Sequence, residues 1–143
     1  NRGNYYLFNE TDTMDYKVQL DTYTIKSEEY LKAYNDLTQS QKTSFNLSTF
    51  IQMINTKDYT HAYKTLSEGF RNNYFPDEES FKNYIKENFY DYNVLEITSS
   101  KNEGNIFIYN CLIKNGKNNA ENKTMDFNVL LGEGTDFTLS FNV

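Results

Sequence analysis

Twenty acidic side chains and one histidine bound the chemistry open to this chain. Two carboxyl groups in a dry pocket could act as acid and base, because burial raises a carboxyl's pKa toward neutral pH. Most of the acids have a nearer duty. Glu28, Glu29, Glu78 and Glu79 stand where helices begin, and acids in a first turn are favoured by the helix dipole. Glu103, Glu121, Glu133 and Asp136 fall in turns. Asp126 and Glu96 remain. Both alternate with apolar neighbours, so they point to the opposite face of a strand. If that face lies under helices, either could be a pocket acid; if it meets water, both are solvated strand carboxylates. Any His-ligated metal site or Ser-His-Asp arrangement would rest wholly on His61, which sits on the flank of a helical stripe, where a helix-surface histidine is the simpler reading. Tyr63, Tyr84 and Tyr109 are expected nearest a helix–sheet crevice, as core-edge packing or as the lining of a cleft. With Asp126 they form the candidate ligand-binding set. No catalytic residue, metal ligand or cofactor is assigned.

The motifs that announce common chemistries are missing from the sequence: no Walker loop, dinucleotide fingerprint, His-Glu-x-x-His, calcium loop or Gly-x-Ser-x-Gly elbow. The single Cys111 excludes an internal disulfide and a Cys-based metal cluster. Its apolar setting predicts a buried, inert thiol. The net charge is -6 and the pI about 4.8. Nucleic-acid affinity comes largely from cations neutralising phosphates; here 14 Lys and Arg face 20 acids, the only arginines are Arg2 and Arg71, and the longest basic cluster, Lys114 to Lys117 and then Lys123, is loose. Nucleic-acid binding and charge-driven docking on anionic lipid are therefore excluded as expectations. Aromatics are 17% of residues, with 13 Tyr, 11 Phe and no Trp, so the core must be built largely from rings. Asn is abundant, at about twenty residues. Asn, Lys and Tyr share AT-rich codons, which points to a bacterium with such a genome rather than to an Asn ladder.

The elements that would position these residues follow from hydrophobic rhythm. Residues 1–13 read as an arm carrying Tyr5-Tyr6-Leu7-Phe8. Met14 to Ile25 alternates as a strand with a bend near Asp21-Thr22. Ser27 caps a short helix with Tyr30, Leu31 and Tyr34, and a polar joint spans Thr38 to Thr43. Leu47, Phe50, Ile51 and Ile54 give the i, i+3, i+4, i+7 stripe of a second helix. Asp58 caps the next, with Tyr59, Ala62, Tyr63 and Leu66, and Gly69 marks its end. Past Pro76, Asp77 caps a helix with Phe81, Tyr84, Ile85 and Phe89. After Tyr92 the period changes to two. Four strands follow around Val94 to Ser99, Ile106 to Lys114, Met125 to Leu131 and Phe137 to Val143, joined by turns at 101–105, 115–119 and 132–136. The fold class is α+β: helices packed on one face of a curved antiparallel sheet of about four C-terminal strands, plus an N-terminal strand and short helix. The chain is one domain overall, with 1–44 a lead-in and 45–143 the core.

That core resembles the nuclear-transport-factor-2-like superfamily, the cystatin-like or cone-shaped α+β fold. The resemblance rests on Phe50-Ile51-Gln52-Met53-Ile54-Asn55-Thr56-Lys57-Asp58-Tyr59, then Ala62-Tyr63, then Phe75-Pro76-Asp77 with Phe81 and Tyr84. The ending Gly134-Thr135-Asp136-Phe137-Thr138-Leu139-Ser140-Phe141 also resembles extracytoplasmic domains of membrane-anchored proteins of Gram-positive bacteria. The resemblance implies a cone with a pocket between sheet and helices. Enzymes of the superfamily place Asp, His and Tyr there; no matching His–Asp pairing is legible in this chain, and other members are assembly modules. The expectation is a non-catalytic extracytoplasmic interaction domain of a bacterial protein, tethered by an N-terminal anchor that preceded Asn1. It would bind a protein partner or self-associate through the sheet or the arm. The alternatives are a binder of a small apolar ligand in the helix–sheet pocket and a pocket enzyme moving a proton with Asp126, Glu96 or His61.

Overall fold

The computed structural model describes residues 28–143. The arm, the strand expected over Met14 to Ile25 and the Ser27 cap lie outside the described residues. Five helices come first: α1 (Glu28–Asn35), α2 (Gln39–Asn55), α3 (Tyr59–Thr65), α4 (Glu68–Tyr74) and α5 (Glu78–Asn88). Four strands follow: β1 (Asn93–Glu103), β2 (Ile106–Asn115), β3 (Asn118–Leu131) and β4 (Phe137–Phe141). They pair antiparallel in the order β1-β2-β3-β4, a meander that the helices cover on one face. The α+β architecture read from the change of period is the architecture observed.

Two helical readings need correction. The joint expected over Thr38 to Thr43 is helix from Gln39 onward, so α2 runs unbroken through positions 44 and 45. Thr38 caps it: its Oγ1 accepts from the Gln41 N–H at 3.1 Å, and Gln41 Oε1 accepts from the Thr38 N–H at 2.9 Å. This first turn is polar, so it shows no apolar stripe. Gly69 does not end a helix either. α3 stops at Thr65, Leu66 is extended, and Gly69 lies inside the separate α4. Leu66 bridges to Leu139 on β4, and the Ser67 N–H donates to the Leu139 carbonyl at 3.0 Å. This tertiary pairing ends α3 early.

The strands reach further than alternation suggested. β1 extends to Glu103, leaving a tight turn at Gly104, where φ is +64°. β2 and β3 meet at Gly116-Lys117. A Cβ on Gly116 would stand 2.2 Å from Tyr92 Cδ2, and the Gly116 N–H donates to the Tyr92 carbonyl at 2.8 Å. Only glycine fits that approach. A bulge between Ile97 and Ser99 shifts the β1–β2 register.

The core lies between helices and sheet. Phe107, Tyr109, Cys111 and Ile113 of β2, Met125, Phe127 and Val129 of β3, and Leu139 and Phe141 of β4 face Leu47, Phe50 and Ile54 of α2 and Phe81 and Ile85 of α5. Burying each large apolar side chain contributes about 1.5–3 kcal/mol. Phe141 is the hub: its ring lies 4.9 Å from Phe70, 5.8 Å from Phe127, 5.9 Å from Tyr84 and 6.2 Å from Phe50, Phe75 and Phe89. Asn55 and Asn93 join α2 to the start of β1. Asn55 Oδ1 accepts from the Asn93 N–H at 2.7 Å, and Asn55 Nδ2 donates to the Asn93 carbonyl at 3.0 Å.

Candidate functional site

The four residues expected to line a pocket divide into three places. Tyr63 and Tyr84 flank Phe75 and stay half-buried. The Tyr63 hydroxyl donates to the Phe75 carbonyl at 2.6 Å, its ring lies 5.7 Å from Phe81, and Arg71 stacks over it at 5.5 Å. The Tyr84 ring lies 5.2 Å from Phe75, and burial raises its phenol pKa. Tyr109 is buried beneath the start of α2, where its hydroxyl meets Thr43 Oγ1 and the Ser40 carbonyl. Burial raises this phenol too, against the lowering effect of Thr43 and Ser40. Asp126 points the other way. It is exposed on the sheet face remote from the helices, where its Oδ1 accepts from Asn110 Nδ2 at 2.8 Å and Asn110 Oδ1 accepts from Ser99 Oγ at 2.6 Å. Glu96 is exposed on that outer face as well, paired with Lys114 at 2.6 Å. The pocket-acid reading of both therefore has no support in their positions. Rings from Phe50, Phe70, Phe75, Phe127 and Phe141 pack edge-on or tilted in the layer between sheet and helices.

A cleft of about 370 Å³ opens instead beside α2, α3 and the turn into β4. Asn46 and Met53 of α2 form its buried floor with half-buried Phe137. His61 and Lys64 of α3 make one wall, and Thr135, Asp136 and Thr138 the other. Helical spacing explains the first wall, since positions 61 and 64 are three apart and share a face. The β3–β4 turn positions the second: the Gly132 N–H donates to the Asp136 carbonyl at 2.8 Å, and the Asp136 N–H donates to the Glu133 carbonyl at 3.0 Å.

His61 is more than a surface histidine. Asp58 is the N-cap of α3; its Oδ1 accepts from the His61 N–H at 3.3 Å, and its Oδ2 lies 2.8 Å from His61 Nδ1. One carboxylate both starts the helix and fixes the imidazole's orientation. The i, i+3 spacing of Asp58 and His61 carried that signal in the sequence, although read as a cap alone. Asn46 carried none, being one of about twenty Asn. It is 2% exposed, and its Nδ2 donates to the Tyr34 hydroxyl at 2.9 Å. Among the described residues, no group of three or more His, Cys, Asp or Glu is placed to hold a metal. No described helix is long and apolar enough to cross a membrane.

No family model matches this chain, and no curated protein matches it. Among solved structures it is similar to an NTF2-like protein of unknown function from Cytophaga hutchinsonii. The two are 19% identical with a TM-score of 0.40, over 75% of this chain and 92% of that one.

Proposed function

We propose that this chain is a non-catalytic interaction domain of the cone-shaped α+β type, working outside the bacterial cytoplasm and docking a protein partner or a second copy on the outer face of its sheet. The observation that carries this reading is how the two sheet faces divide. The inner face is filled with rings, and the outer face keeps large apolar side chains at the surface. Ile106 and Leu130 sit directly opposite each other on β2 and β3 at 43% and 40% exposure, and Val94 is 41% exposed. Ile108, diagonal to Leu130, extends the patch. Between the apolar ends lies the hydrogen-bonded Ser99–Asn110–Asp126 row. Apolar patches rimmed by polar groups are what protein partners cover. The lone thiol is buried, so a setting outside the cytoplasm would leave it unreacted.

Sedimentation of the chain alongside the variant Ile106→Lys with Leu130→Lys tests the docking surface. The expected outcome is association that the paired lysines abolish while far-UV circular dichroism is unchanged. Association at equal strength in the variant would remove the outer face from consideration.

A further inference from the structure

The polar cleft is built for something the docking surface does not require. Asn46 is almost completely buried at its floor, and a carboxamide has one acceptor and two donor positions to satisfy. Its Nδ2 serves the Tyr34 hydroxyl; its Oδ1 takes no hydrogen bond from the described residues. Buried polar atoms in folded proteins are nearly always met, by protein, water or ligand. The same cleft carries two opposite charges. Lys64 and Asp136 line the same cleft from α3 and from the β3–β4 turn, and neither side chain forms an ion pair or hydrogen bond with a described residue. Four other described lysines hold acids, Lys57 and Lys117 on Asp91, Lys101 on Glu103 and Lys114 on Glu96, whereas Lys42 and Lys82 lie over tyrosine rings. The Thr135 and Thr138 hydroxyls likewise have no described partner.

We infer that this cleft binds a small zwitterion of free amino-acid or dipeptide size, with its ammonium held by Asp136 and the Asn46 carbonyl and its carboxylate held by Lys64. Charge decides among ligand classes. A phosphorylated or polyanionic ligand would face Asp136 and Asp58 on a chain of net charge -6. A purely apolar ligand would bury Asn46 Oδ1 with nothing to meet it. A neutral sugar would make no use of either charge. A zwitterion answers both charges and the buried acceptor together. The volume of about 370 Å³ admits a molecule of this size and excludes a folded domain. The Asp58–His61 pair keeps one wall fixed, so the site is largely formed before the ligand arrives.

The test is titration of the isotopically labelled protein, followed by nuclear magnetic resonance, with alanine and alanyl-alanine as probes. Their N-acetylated and C-amidated forms and a neutral disaccharide serve as competitors. Free zwitterions should shift the Asn46 side-chain amide and the Thr135 and Asp136 backbone signals. Blocking either end should weaken binding about tenfold or more, since each block removes a charge-assisted contact. Lys64→Met should abolish discrimination against the C-amide, and Asp136→Asn discrimination against the N-acetyl form. Both are exposed positions, so the fold is retained. Unmoved cleft signals, equal binding of the blocked forms, or preference for the disaccharide would each overturn the assignment.

Discussion

Cys111 shows how far one side chain's surroundings decide its chemistry. It is 2% exposed on the inner face of β2, and burial first, then the negative charge of Asp126, pushes its thiol up to about 12 from 9.0. The folded state therefore keeps a proton that the unfolded chain gives up. The linkage runs in one direction: stability is complete below about pH 9 and declines as pH rises toward 12. The phenols of Tyr34, Tyr84 and Tyr109, raised chiefly by burial, add to the same trend at higher pH. Denaturation midpoints of the wild type and Cys111→Val across the alkaline range should show a shallower initial fall in the variant; parallel curves would refute the account. Thiol reagents should label Cys111 only on unfolding. This burial was legible from the apolar run around it. The roles of Asn46, Asn55 and Asn93 were not. Nothing local separates a buried, bonded asparagine from a solvated one when its partners lie far along the chain, as Asn55 and Asn93 do at a separation of 38.

Elements begin and end where backbone groups find partners, and that logic was only partly visible beforehand. The stripe Leu47, Phe50, Ile51 and Ile54 located the buried face of α2, yet its opening turn hid because Thr38 and Gln41 replace apolar contacts with reciprocal caps. Its far end closes by a Schellman arrangement. The Asp58 N–H donates to the Met53 carbonyl at 2.8 Å and the Lys57 N–H to the Ile54 carbonyl at 3.1 Å. Lys57 takes φ 66°, the left-handed region that a side chain resists. Lys57→Gly relieves that cost, although it also gives up the exposed contact to Asp91. The expected gain is about 0.5–1 kcal/mol, read as a higher urea midpoint with unchanged slope. A lower midpoint would mean that the Asp91 contact outweighs the backbone term.

At the scale of the whole molecule, the reversal from helical to strand rhythm near residue 92 was enough to set the layers. The six-ring neighbourhood of Phe141 was beyond sequence reasoning, because its contacts come from α2, α4, α5, β3 and the segments after α4 and α5. Phe141→Ala should cost about 3–5 kcal/mol and lower the thermal midpoint in a single cooperative step, measured by calorimetry. A loss below ~1 kcal/mol would show that the rings close the gap without it. The sheet's two margins are not alike. On β4 the middle residue, Leu139, is already engaged by Leu66 and Ser67, whereas no described strand pairs with the far side of β1. Among the described residues, the edge left open to a further strand is that of β1. Among the described strands, a second molecule pairing along that margin would use the same edge on both copies and so close the sheet as a pair.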